Sequence, residues 1–164
     1  MPINPIGPVP PSKGTNETPD QIWQDILSDK NAIISEIANQ SAFAIDRITL
    51  LADNLTSLMN SPSATAAQKQ TAQKAMMRLF GTDDIYSTTP FNSDSSNMPL
   101  ITSLLPGPGS PADLTQGSYM EQFMSGTDSQ REHAFYFCTE NWTQQNFDDT
   151  SIGWKNTLDQ LGIK

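Results

Sequence analysis

Residues 33–58 read IISEIANQSAFAIDRITLLADNLTSL. Apolar side chains recur at Ile33, Ile37, Ala44, Ile48, Leu51, Leu55 and Leu58. Steps of three, four and seven place residues on one side of an α-helix, whereas a strand would need alternation. The step from Ile33 to Ala44 is eleven residues, and Ala44, Leu51 and Leu58 follow by sevens. That is a coiled-coil-like seam with one shift of phase. Ile34, Ile45, Leu50 and Met59 widen the stripe, so more than one helix is expected against it.

Outward from this stretch the helix boundaries are legible. Thr18 suits an N-cap, and Pro19 suits the first helical position, where no N–H is needed. No Gly or Pro occurs between Asp20 and Asn60. The polar patch Ser28-Asp29-Lys30-Asn31 marks where the helix could break. Ser61-Pro62 ends it, Ser63 or Thr65 opens a second helix, and Gly81 after Phe80 is a natural stop. The short connection predicts an antiparallel helical hairpin. If unbroken, the first helix is about 60 Å long and the second about 25 Å. The rest of the seam then needs the C-terminal helices or another chain to cover it. Trp23, Ala44, Ile48, Leu51, Leu55, Leu58, Met76 and Met77 are therefore the candidate partner or oligomer interface. The competing reading makes the seam an ordinary core face.

Residues 81–110 form a long polar loop, in which Ile101, Leu104 and Leu105 are expected to dock as a short turn. Ser110-Pro111 starts a short helix running to about Ser125. Thr127-Asp128-Ser129-Gln130 fits a capping box. The helix it opens is expected to reach about Phe147. A last one should start near Thr150 and carry Trp154, Leu158 and Leu161 on one face. The expected fold is all-α: a long N-terminal helix in an antiparallel hairpin, packed with short C-terminal helices. The divisions are 1–18 (extended or disordered arm), 19–80 (hairpin), 81–110 (loop) and 111–164 (helices completing the same domain).

The chain has 164 residues, 18 acidic and 9 basic, for a net charge of −9. Such a surface repels phosphate backbones, which argues against nucleic-acid binding. No apolar run approaches the about 18 residues a membrane span needs. One cysteine forms no intramolecular disulfide, and no segment pairs a basic start with an apolar core as a secretory signal does. A cytoplasmic location is the default. Export without a cleaved signal, or incorporation in a particle, is the alternative.

The arm, MPINPIGPVPPSKGTNET, holds five prolines and two glycines in its 18 residues. It favours an extended, polyproline II-like backbone. Its polar, Ser/Thr/Pro/Asn-rich composition is similar to the N-termini of bacterial type III secretion substrates. The resemblance covers those residues and implies recognition by an export machine.

Residues 131–142, REHAFYFCTENW, hold the only histidine and the only cysteine. Five residues along a helix put His133 and Cys138 about 140° apart, so they form no nucleophile–base pair. Without a second histidine or a paired cysteine, a structural zinc site is excluded. The segment reads as the centre of the C-terminal core. Asp83-Asp84 and Asp148-Asp149 could serve acid–base or cation chemistry, but read better as loop residues or caps. Residues 92–103 fail as a calcium loop, because Asn97 and Ser103 stand where glycine and a bidentate acid are required. Nucleotide, zincin and hydrolase motifs are missing. No catalytic, cofactor-binding or metal-ligating residue is assigned, and no cofactor is expected.

The expected function is a non-enzymatic helical assembly or interaction protein acting through a protein partner or by self-assembly. Two contexts fit: a bacterial or phage structural subunit, or a component or substrate of a type III-like secretion system. An oligomeric adaptor or chaperone-like module is one alternative. An enzyme of an unfamiliar helical class, using His133 and the paired aspartates, is the other.

Overall fold

The computed structural model describes residues 17–84, 99–105 and 123–164. Five α-helices lie wholly within them: α1 (Pro19–Ala38), α2 (Phe43–Asn60), α3 (Ala66–Phe80), α4 (Asp128–Thr139) and α5 (Gln144–Gln160), and residues 123–125 are helical as well. A 3-10 turn spans Leu100–Ser103. The described residues contain no strand, as the periodicity predicts. The proline-rich arm up to Asn16, the run from Asn92 to Asn97 that fails as a calcium loop, and the helix start at Ser110-Pro111 lie outside the described residues.

Four helices begin with the same device. At Thr18, Thr65, Thr127 and Thr143 the side-chain oxygen accepts from the backbone N–H three residues on. The amide side chain at that position (Gln21, Gln68, Gln130 or Asn146) accepts in return from the threonine N–H. Each box satisfies two donors that a helix start otherwise leaves orphaned. Gly81, at φ 76°, closes α3 in the left-handed region.

The hairpin is present, but its first arm is two helices. The chain breaks at residues 39–42, not at 28–31. Gln40 adopts φ 60°. Its N–H donates to Ile37 O at 3.0 Å, and the Ser41 N–H donates to Glu36 O at 2.9 Å. These two bonds are a Schellman stop, with glutamine where glycine usually stands, so composition gives no warning of it. The polar patch read as a break stays helical because its side chains find partners. Asn54 Nδ2 donates to Asp29 Oδ2 at 2.6 Å. Lys30 Nζ donates to Ile163 O at 2.8 Å and pairs with Asp159.

The break changes the length argument. At 20 and 18 residues, α1 and α2 are about 30 and 27 Å long, against about 22 Å for α3. No stretch of seam is left over to require another chain. Ile33 and Ile37 belong to α1 and Ala44 to Leu58 to α2, so the two parts of the seam face each other across a hairpin. α1 packs on α2 and α5, and α2 also packs on α3 and α4. With three neighbours, α2 buries residues around much of its circumference, including Ile45, Ala52 and Asn54.

The C-terminal boundary also differs from expectation. α4 ends at Thr139 and α5 starts at Gln144, because Thr143 and Asn146 form a fourth capping box. Gly153 sits inside α5. Trp154 and Leu158 are buried as expected, whereas Leu161 caps the end of α5 and is only partly buried. The docking of Ile101, Leu104 and Leu105 is as expected too: all three are fully buried. Trp154 Nε1 donates to Ser103 Oγ at 2.9 Å and pins the 3-10 turn to α5.

Two lysines on Asp159, Lys30 of α1 and Lys155 of α5, set a pH dependence. Lys30 and Lys155 hold Asp159 down to about 2, chiefly through their hydrogen bonds to its carboxylate. A carboxyl depressed in the folded state adds stability that is complete above its unfolded pKa, near 4. That stability is lost as pH falls from about 4 toward 2. Asp159→Asn is expected to melt below the wild type near neutral pH, and the gap should close through that window. A gap unchanged at acid pH would contradict the pairing.

Candidate functional site

Residues 131–142 build one wall of a cleft rather than a catalytic pair. The Thr127 box starts α4, and Arg131 then anchors it. The guanidinium donates to Phe123 O at 3.1 Å and Gly126 O at 2.7 Å, and to Asp128 Oδ1 at 2.8 Å. Its Nε stands 3.5 Å from Asp46 Oδ1 on α2. Burial, and then the Asp128 charge, raise the Asp46 carboxyl above the usual range, with Arg131 opposing them. Arg131 thus ties residues 123–126, α4 and α2 together.

From that anchor α4 runs back toward the α1–α2 turn. Phe135 is fully buried, and its ring meets Tyr136 at 5.5 Å edge-on and Phe147 of α5 at 6.4 Å. Trp142, in the link before α5, meets Phe147 at 5.0 Å in a T-shaped pair. Phe135 and Phe147 form the floor of a cleft of about 250 Å³, with Tyr136 and Trp142 at its sides. Gln40, Thr139 and Glu140 supply its polar edge. The Gln40 amide donates to Gln144 Oε1 at 2.7 Å, and Gln144 donates to Ala38 O at 2.9 Å. These bonds lock the α1–α2 turn to the first turn of α5.

His133 is exposed and Cys138 half-buried. Burial pushes the Cys138 thiol above its ordinary pKa, which keeps it protonated and a poor nucleophile. The aspartate pairs do not converge. Asp83 follows α3 and accepts from Gln73 at 3.3 Å. Asp148 and Asp149 accept from Gln144 and Gln145 at 2.9 and 2.8 Å, one turn back on α5. Among the described residues no three His, Cys, Asp or Glu side chains gather as a metal site. No described helix is long and apolar enough to cross a membrane.

Of the eight interface candidates, Ala44, Ile48, Leu51, Leu55, Leu58 and Met76 are fully buried in the chain's own core. They belong to the bundle's own core. Trp23 is partly buried, and Met77 is 50% exposed. Three aromatic residues that do reach the surface are not among those candidates. Tyr136 is 55% and Phe137 40% exposed on α4, and Phe43 is 59% exposed at the start of α2. Phe43 lies between Gln40, at the cleft, and Asp46, which pairs with Arg131. The signal for the two on α4 was the clustering of aromatics in REHAFYFCTENW, but their sidedness depends on where α4 stops.

No protein-family model, curated protein or solved structure matches the chain.

Proposed function

We propose that this chain is a non-enzymatic helical interaction protein that assembles with copies of itself through its exposed aromatic residues. The observation supporting the reading is the exposure of Phe43, Tyr136 and Phe137. Single exposed apolar residues are ordinary, but three large exposed aromatics, one of them lining a cleft, suit a contact surface. Aromatics are also enriched where protein interfaces exclude water. The acidic balance of the chain adds solubility to the rest of the surface.

The larger setting we propose is a bacterial or phage structural assembly, or a type III-like secretion system. The composition of residues 1–18 supports the second. Light scattering tests the self-assembly. The expected mass exceeds the 18.0 kDa of one chain. Phe43→Ser with Phe137→Ser should return it to that of a single chain while circular dichroism stays helical. A single-chain mass for the wild type at every concentration would overturn self-assembly.

A further inference from the structure

We propose that the aromatic cleft is the docking site for the chain's own proline-rich segment, residues 5–11 (PIGPVPP). Three observations lead to it.

The first is chemical fit. Proline-rich segments pre-organised as polyproline II dock on aromatic-lined grooves, where rings pack against prolines at small entropic cost. Tyr136 and Trp142 flank this cleft over a floor of Phe135 and Phe147. The polar edge of Gln40 and Glu140 suits the free backbone carbonyls and N–H groups of such a segment. Residues 1–16 also carry one lysine, Lys13, and no acidic residue, in a chain of net charge −9. Their charge opposes that of the body they would lie on.

The second is reach. The cleft includes Gln40, just past the C-terminal end of α1, whereas the arm enters α1 at Pro19. The two points are separated by the 20 residues of α1, about 30 Å. Residues 5–11 precede Pro19 by eight to fourteen positions, which a polyproline II backbone spans in about 25–43 Å. The segment therefore meets the cleft when the arm folds back along α1.

The third is a track for that path. Trp23, Leu27, Ile34 and Ala38 are partly exposed and recur at steps of four, seven and four along α1. They lie on one side of α1 in two pairs, Trp23 with Leu27 near the arm's entry and Ile34 with Ala38 near the cleft, with Lys30 and Asn31 between them. Trp23, a candidate contact residue from the sequence, takes its place in the first of these pairs.

The docking does not depend on self-assembly, and the test separates the two. It reads the indole N–H resonances of the full-length chain and of Pro8→Ser with Pro10→Ser and Pro11→Ser. Trp142 should shift between the two proteins, and Trp154, buried beside Ser103, should not. The difference should persist on dilution, because the segment and its cleft belong to one chain. A Trp142 resonance identical in both proteins overturns the proposal. So does a return of the labelled variant's Trp142 to its wild-type position when unlabelled wild type is added. That result would assign the cleft to an arm from a second copy.

Discussion

Phe135→Ala is expected to destabilise the protein by about 3–5 kcal/mol, the range for truncating a buried phenylalanine. The ring is fully buried and touches Tyr136 and Phe147 from two different elements. Removing it takes away the floor of the cleft and the contact that joins α4 to α5. The surroundings cannot close over the gap cheaply. Arg131 holds one end of α4 to α2, and the Gln40–Gln144 bonds hold α5 to the α1–α2 turn. Urea unfolding checks it: the midpoint should fall with little change in the denaturant slope. Phe137→Ala, two residues away and 40% exposed, should cost less than about 1 kcal/mol. Equal losses in the two variants would mean that α4 is not fixed by its inner face.

Trp154→Ala should be of similar size, about 3–5 kcal/mol, for a different reason. Trp154 is fully buried on α5, and its indole N–H is bonded to Ser103. That bond fastens the Leu100–Ser103 turn, which carries the fully buried Ile101, onto the bundle. The alanine variant loses ring and fastening together. Trp154→Phe keeps most of the apolar contact and loses only the hydrogen bond, worth about 1 kcal/mol. In thermal melts the alanine variant should fall by about 10 °C and the phenylalanine variant by only a few degrees. A phenylalanine variant as unstable as the alanine one would show that the bond outweighs the packing.

Several boundaries were legible because short-range chemistry fixes them. Thr18-Pro19, Thr65 with Gly81, and Thr127-Gln130 each carry their own hydrogen-bond partners within four residues. They work wherever the helix sits. The break at residues 39–42 was not legible, because it is made by backbone bonds around Gln40 in a conformation that glutamine seldom adopts. Nor was the helicity of 28–31. Asp29 and Lys30 are polar enough to suggest a loop, and only α2 and α5 supply the groups that let them be buried. The fourth capping box, Thr143-Asn146, was readable in principle, but no Gly or Pro between Thr127 and Ile152 marked the stop.

The sequence by itself determined an all-helical chain, the capped starts of α1, α3 and α4, and a histidine and a cysteine that point apart. Periodicity and capping are local, so residue identity and spacing suffice for them. Tertiary structure alone decided which apolar residues face inward. Breaking one long helix into α1 and α2 folded the seam onto itself and placed Ala44, Ile48, Leu51, Leu55, Leu58 and Met76 in the chain's own core. The same turn placed Gln40 beside Tyr136 and Trp142 and so made the cleft. A helical stripe records that a face is apolar; what covers that face depends on where the chain reverses, and one residue at φ 60° set that here.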